Sequence, residues 1–271
     1  MILYQNKGSE DMAFVTWERI GENGTIGKMV LNRPEARNAF NTEMGKQIID
    51  ICQEISNSEV RVVLLTSSDS KAFCSGADLK ERNGISEEEF HRHHELFAEM
   101  FNAIAELPQP VIAVVDGYAL AGGFELALNC DMILASEKAV FGLPEVTRGI
   151  MPGGGGSRLL QRRVSTHIAK EWLFTGKFVT AEVANRAGLL NELTDSSLIH
   201  SRAIELAESI ARNAPIAVQN CKSSVNEIQG RIESEAREIE NDYYGRCLHT
   251  EDRFEGIRAF VEKRPPVFSG K

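Results

Sequence analysis

Three short aliphatic runs, at residues 60–66, 111–115 and 132–135, alternate with longer segments of helical period, and this alternation constrains the chain more than any other feature. Near-continuous apolar runs of this length are what strands of a parallel sheet, buried on both faces, require. Between them, Asn41, Thr42 and Glu43 open a segment in which Met44, Ile48, Ile49, Ile51, Cys52 and Ile55 recur at helical spacing. Residues 87–107 read as a second helix, stopped by Pro108 and Pro110, and residues 122–129 as a third. Strand, helix and strand repeated through residue 136 predict an α/β core of crossover units. The runs 15–20 and 25–31, separated by Gly21-Glu22-Asn23-Gly24, predict an edge hairpin ahead of it.

Beyond residue 180 strands fade. Residues 181–187, 197–212, 215–229, 232–248 and 252–263 all read as helices, with Pro215 suited to a first helical turn. The expected division is a core over residues 1–198 that carries the site and a helical oligomerisation region over 199–271. A chain of 271 residues, 42% hydrophobic and 25% charged, has the balance of a soluble globular protein. Its formal charge of −9 argues against nucleic acid as the main partner, since phosphate binding needs a concentrated basic surface. The five cysteines, Cys52, Cys74, Cys130, Cys221 and Cys247, are scattered without a CxxC pair, as in a reducing compartment. The first dozen residues lack an apolar h-region and no apolar run approaches about 18 residues, so a cytoplasmic protein without a membrane anchor is expected.

The chemistry-bearing residues cluster in glycine-rich loops. Residues 72–80 follow the strand at 60–66, and residues 117–123 follow the next strand and enter a helix, so both lie where ligands of open α/β sheets gather. Gly122, at a helix N-terminus, offers an unpaired N–H to a developing oxyanion. Glu125 stands one helical turn further, beside the apolar Leu126, Ala127 and Leu128, and Glu145 follows Pro144 ahead of the Gly153–Gly156 run. Taken singly, each has an ordinary reading: a strand-to-helix loop, a dipole-compensating glutamate, an exposed loop carboxylate. Together, two carboxylates among bare backbone amides point to proton transfer on a carbonyl compound, with the oxyanion held by N–H groups. No lysine follows the glycine run in Walker position, and no GxSxG elbow is present. His91, His93 and His94 read as a solvated helix surface rather than metal ligands.

The motifs Leu31-Asn32-Arg33-Pro34-Glu35-Ala36-Arg37-Asn38-Ala39, Phe73-Cys74-Ser75-Gly76-Ala77-Asp78-Leu79-Lys80, Asp116-Gly117-Tyr118-Ala119-Leu120-Ala121-Gly122-Gly123-Phe124-Glu125 and Phe141-Gly142-Leu143-Pro144-Glu145, with the closing residues 255–264, resemble the crotonase (enoyl-CoA hydratase/isomerase) superfamily. The resemblance spans nearly the whole chain. It implies an α/β fold, a spiral of ββα units followed by an α-helical trimerisation region, assembled as a trimer or a dimer of trimers. By motif position it implies an oxyanion hole at the N–H groups of Ala77 and Gly122. Ala36, Ala77, Asp78 and Leu79, with Phe260 and Lys263, would contact coenzyme A, and Gly153 N–H would hold the catalytic water.

Possession of both Glu125 and Glu145 implies an enoyl-CoA hydratase rather than a Δ3,Δ2-enoyl-CoA isomerase or another lyase of the family. Glu145 would be the principal acid/base and Glu125 would orient the water. No metal, and no cofactor beyond the CoA of the substrate, is implied. The setting would be fatty-acid or branched-chain amino-acid catabolism. Leu143, Phe124 and Arg148 depart from the family pattern and are expected to tune the acyl pocket. Residues 74–82 also resemble the 3-methylglutaconyl-CoA hydratase branch, whose substrate carries a second carboxylate that Arg148 or Arg82 would pair with. That branch has an RNA-binding member with a lysine-rich helix, whereas Lys46 is the sole basic residue of 41–58 here.

Overall fold

A computed structural model describes residues 13–271, so the expectation about the first dozen residues lies outside the described part. The chain winds through four successive strand–strand–helix units. In the first, β1 (Val15–Ile20) pairs antiparallel with β2 (Ile26–Leu31), and α1 (Thr42–Ser56) follows. The Asn41 side chain accepts from Met44 N at 2.9 Å, so the N-cap read from sequence is formed. The second unit is β3 (Val62–Ser67), β4 (Ala72–Cys74) and α2 (Glu87–Ala105), the third β5 (Val111–Val115), β6 (Tyr118–Leu120) and α3 (Gly122–Leu128). The fourth is β7 (Met132–Ser136), β8 (Val140–Gly142) and, after a loop, α4 (Gly156–Arg163).

In every unit after the first, the longer strand joins one sheet and the shorter strand another. The large sheet has the order β1-β2-β3-β5-β7-β10, where β10 (Glu192–Thr194) pairs parallel with β7. The small sheet has the order β4-β6-β8-β9, where β9 (Phe178–Thr180) closes it antiparallel to β8. Two expectations are corrected here. Strands do not end at residue 180, because β10 extends the large sheet beyond it. The whole small sheet escaped the sequence reading, since strands of three residues are too short to display a period of two.

The central strands β3, β5 and β7 of the large sheet are buried on both faces, which is why their sequences run apolar without alternation. Val63, Leu65, Ala113, Val115, Ile133 and Ala135 face the main core with α1, α2 and the small sheet. The intervening Val62, Leu64, Ile112, Val114 and Leu134 meet Ile199, Ala203, Ala207 and Ala211 of α7 (Ile199–Ala211). Each fully buried aliphatic side chain in these layers contributes about 1.5–3 kcal/mol. Helices α5 (Thr166–Thr175) and α6 (Ala181–Arg186) complete the core.

Packing changes character after α7, later in the chain than residue 198. Among the described residues, α8 (Pro215–Glu227) and α9 (Glu233–Cys247) contain none that is buried, and α10 (Glu251–Glu262) buries Asp252, Glu255 and Ala259. Polar ties hold this region to the core. Lys222 Nζ meets Asp131 at 2.7 Å and the Gln109 carbonyl at 3.0 Å, and Arg61 donates to the carbonyls of Ala211 and Phe268. No helix among the described residues is long and apolar enough to cross a membrane.

Candidate active site

Ala77, Gly122 and Glu145 leave the C-terminal ends of β4, β6 and β8, the corresponding point of three successive units. Because β4, β6 and β8 are adjacent and parallel, their exits stand side by side. The spiral thus converts residues 77, 122 and 145, distant in sequence, into neighbours around one cavity of about 810 Å3.

The first exit is braced by the motif at 31–39. Arg37 and Asn38 adopt left-handed backbone, and the fully buried Asn38 accepts from Arg33 N at 2.7 Å while donating to the Ala72 carbonyl at 3.1 Å. Arg33 Nη1 reaches Asp78 Oδ2 at 2.7 Å. Burial opposes the ionised form of Asp78, but the hydrogen bonds of Arg33 and Lys80 N hold its carboxyl below the usual range. A lone parallel bridge then joins Phe40 to Ala77: Phe40 N donates to the Gly76 carbonyl and Asp78 N to the Phe40 carbonyl, both at 2.9 Å. In a parallel bridge these flanking groups are spent, so Ala77 N–H points away from Phe40 and stays available.

At the second exit Ala121 holds φ 50° and ψ −129°, a costly conformation for a residue with a Cβ. It is fixed from both sides: its N–H donates to the Gly142 carbonyl at 2.8 Å, and its own carbonyl accepts from Phe124 N and Glu125 N. The strained residue turns the chain straight into α3, whose first N–H, on Gly122, has no intrahelical partner. A Cβ on Gly123 would lie 2.0 Å from the Cys74 carbonyl oxygen, so only glycine lets this exit close against the first. Gly76 packs against Gly122 N across the same contact. The two N–H groups therefore sit on loops locked to one another.

Both glutamates are buried, with 4% of Glu125 and 7% of Glu145 exposed. Glu125 Oε1 accepts from Gly154 N at 2.7 Å and Gly156 N at 2.8 Å. Asn129 Nδ2 ties the same loop down by donating to the Gly154 carbonyl at 2.9 Å and the Glu125 carbonyl at 2.8 Å. Burial raises the Glu125 pKa, while the Gly156 and Gly154 N–H groups pull it back towards the carboxylate. Glu145 lies in a single 3-10 turn, Pro144–Arg148, ended by left-handed Gly149. Its Oε2 is buried without a hydrogen-bond partner. Burial pushes its pKa up to about 7, with the charge of Glu125 adding to the rise and that of Arg148 opposing it. One carboxylate is thus anchored by two donors, and the other is left to carry a proton near neutrality.

The cavity is lined by Ala77, Leu79, Gly122, Glu125, Glu145 and Gly153 among others. Ala36, Asp78, Phe260 and Lys263 do not line it. Ala36 ends a 3-10 turn whose carbonyl accepts from Ser75 Oγ, and Asp78 is engaged by Arg33. Phe260 is 85% exposed on α10, and Lys263 ends that helix in left-handed backbone. Of the three departures from the family pattern, only Arg148 reaches the cavity. Phe124 is buried against Phe141 and Leu143 is buried behind Gly156, so neither tunes an acyl pocket directly.

The histidine cluster departs from its expected solvated surface only at the half-buried His93. His93 Nε2 lies 3.2 Å from Thr42 Oγ1, and His94 lines the cavity, its ring 3.3 Å from where a Cβ on Gly153 would be. His91 and His94 both stay exposed, as a solvated helix surface requires, and both stand at the cavity's edge; 69% of the His91 side chain is exposed beside Glu87. Gly154, Gly156 and Asn129 are the functional residues the sequence reading missed. The four-residue step from Glu125 to Asn129, one turn along α3, was the available signal. A second hollow of about 450 Å3, lined by Arg37, Lys71 and Lys138, shares Ser75 and Leu120 with the first.

Ala77 and Gly122 on neighbouring strand exits and two buried carboxylates, all lining one cavity and carried on a spiral of ββα units, are the arrangement of an enzyme of the crotonase class. The enoyl-CoA hydratase/isomerase family profile matches residues 21–271, and the chain belongs to that family. It is 39% identical to the short-chain-enoyl-CoA hydratase of Clostridium acetobutylicum, over 89% of this chain and 93% of that one. It is 36% identical to the 2,3-dehydroadipyl-CoA hydratase of Escherichia coli, over 90% and 94% of the two chains. The crystal structure of an enoyl-CoA hydratase from Bacillus anthracis superposes with a TM-score of 0.92 at 37% identity, covering 95% of this chain and all of that one.

Proposed function

We propose that this enzyme adds water reversibly across the double bond of trans-2-enoyl-CoA thioesters. The observation that carries this reading is the unequal pair of buried carboxylates beside two free N–H groups. The thioester oxygen would accept from Ala77 N and Gly122 N, which stabilise the enolate as water adds to the β-carbon. Glu125, anchored through Oε1, would act as the carboxylate that takes the proton of the water with Oε2. Glu145, protonated near neutral pH, would deliver its proton to the α-carbon. Gly153, at the cavity wall beside Glu125, would hold the water. The reaction needs no metal and no cofactor beyond the CoA of the substrate.

Leu79 and Ala77 would contact the pantetheine, with Ala36 and Asp78 shaping that channel from behind. Phe260 and Lys263 would reach the CoA of a neighbouring subunit in a trimer or a dimer of trimers. Phe254, Ile257, Phe260 and Val261 expose a contiguous apolar face of α10 that a second copy would cover. Light scattering on the full chain should give a mass three or six times 30.0 kDa. A monomer with full CoA affinity would contradict the assembly. The unpaired cysteines support a cytoplasmic setting, in fatty-acid or branched-chain amino-acid catabolism.

The test is a panel of enoyl-CoA thioesters, from crotonyl-CoA upward and including 3-methylglutaconyl-CoA, followed by loss of the conjugated-enoyl absorbance. Hydration of at least one is expected. Isomerisation of 3-enoyl-CoA without hydration of any 2-enoyl-CoA would overturn the reading.

A further inference from the structure

One face of α2 walls the cavity through Phe90, His91, His94, Phe97, Ala98 and Phe101, and the two histidines are the polar members of an otherwise apolar stripe. His94 stands apart from the other histidines of this helix. His91 has Glu87 beside it and His93 meets Thr42 Oγ1, whereas His94 has no hydrogen bond or ion pair among the described residues. Its ring presents the Cε1–Nδ1 edge to Gly153. A Cβ on that glycine would lie 3.3 Å from Cε1 and 3.7 Å from Nδ1, and outside the two chain neighbours no other residue comes within 4 Å of it.

The loop crosses the stripe on bare backbone. A Cβ on Gly154 would lie 2.2 Å from the Phe101 ring, so only glycine lets the loop settle onto α2 there. Gly154 N is in turn one of the two donors that hold Glu125 Oε1. The free imidazole therefore faces the residue next to the Glu125 anchor, and both line the cavity. A water about to add to the β-carbon has two lone pairs and two O–H groups to place. In the hydratase reading one lone pair attacks carbon, the other accepts from Gly153 N–H, and one O–H gives its proton to Glu125 Oε2. The second O–H survives as the product hydroxyl and still needs an acceptor. Glu125 Oε1 is filled by Gly154 N and Gly156 N, and Glu145 serves the α-carbon.

We propose that His94 is a positioning residue for the reacting water, its Nδ1 lone pair accepting the O–H that the reaction does not break while its Nε2 proton is left to solvent. The inference deepens the hydratase reading and rests on its placement of the water beside Gly153. Two acceptors, Glu125 Oε2 and His94 Nδ1, then fix both hydrogens of the water and aim a lone pair at the β-carbon. No proton passes to or from the imidazole. The balance of the step is unchanged: one proton goes from water to Glu125, and one from Glu145 to the α-carbon.

The test measures crotonyl-CoA hydration and α-proton exchange of butyryl-CoA in D2O side by side on the full chain. His94→Leu continues the apolar stripe but removes the acceptor, and its kcat for hydration should fall about 3- to 10-fold with KM little changed. Exchange adds no water and should stay within about twofold of wild type. His94→Asn, whose Oδ1 stands close to where Nδ1 stood, should recover most of the lost hydration. Undiminished hydration in His94→Leu would overturn the proposal. So would an equal fall in hydration and exchange, which marks a merely structural part, or an Asn variant as slow as the Leu variant. A wild-type protein that hydrates no enoyl-CoA would sink the hydratase reading and this inference with it, whereas an active wild type with an indifferent His94→Leu sinks this inference alone.

Discussion

The start of α3 and the turn after β8 each place one buried glutamate on the same cavity, and the two surroundings are opposite. Around Glu125 the backbone is over-determined: a strained Ala121, a glycine that admits no Cβ, and two N–H donors from a loop about thirty residues away. Around Glu145 one oxygen is buried with nothing to accept from. Burial raises the pKa of both carboxyls, and at Glu125 two N–H donors from another loop oppose that rise, because hydrogen bonds to a carboxylate favour its charged form. Chemistry that needs a base and an acid at one pH obtains both from glutamate by changing only what surrounds it.

The largest expected effect comes from removing the proton carrier. Glu145→Gln keeps the shape but cannot exchange a proton, and crotonyl-CoA hydration should fall by ~10²- to 10⁴-fold with CoA-ligand affinity retained. Wild-type turnover in that variant would break the comparison outright. Gly156→Ala attacks the other side. Its Cβ would lie 2.7 Å from Pro152 Cβ and 3.1 Å from Glu125 Oε1, so one of the two anchoring bonds is lost or displaced. A loss of roughly tenfold in kcat/KM is expected from one charge-assisted hydrogen bond, and no loss would mean the anchor is dispensable.

A smaller effect sharpens the electrostatics. Hydration should decline above about pH 7, where Glu145 gives up its proton. In Glu125→Gln the residual activity should show that limb at lower pH, because the neighbouring charge that raises the Glu145 pKa is gone. An unmoved limb would show that burial alone sets it. The smallest effect is on stability. A carboxyl raised from 4.5 to about 7 on folding favours the folded state while protonated, a contribution present below pH 4.5 and lost as the pH climbs through 7. Denaturant titrations should therefore show a flatter decline between those pH values in Glu145→Gln than in wild type.

What the sequence disclosed was local. Ala77, Gly122 and Glu145 were legible as candidates because each sits in a motif of a few residues, and the central large-sheet strands β3, β5 and β7 because a short run of apolar residues is a strong signal. The small sheet was not, although it places the site: Ala72–Cys74, Tyr118–Leu120 and Val140–Gly142 become strands only by pairing with one another. The bonds from Gly154 and Gly156 to Glu125 depend on the same tertiary closure. His94 is exposed as its polar helix suggests, and only the fold turns that residue towards Gly153. Leu143 and Phe124 misled in the reverse sense, standing near Glu145 and Glu125 in sequence but pointing into the core.

Proton exchange at the α-carbon of a saturated acyl-CoA separates the two glutamates most directly, since it involves the enolate and no water addition. With butyryl-CoA in D2O followed by NMR, Glu125→Gln should still exchange the α-proton within ~10-fold of wild type while hydration of crotonyl-CoA falls to a small residual rate, and Glu145→Gln should lose both. Exchange that survives in Glu145→Gln and vanishes in Glu125→Gln would reverse the assignment and contradict the account.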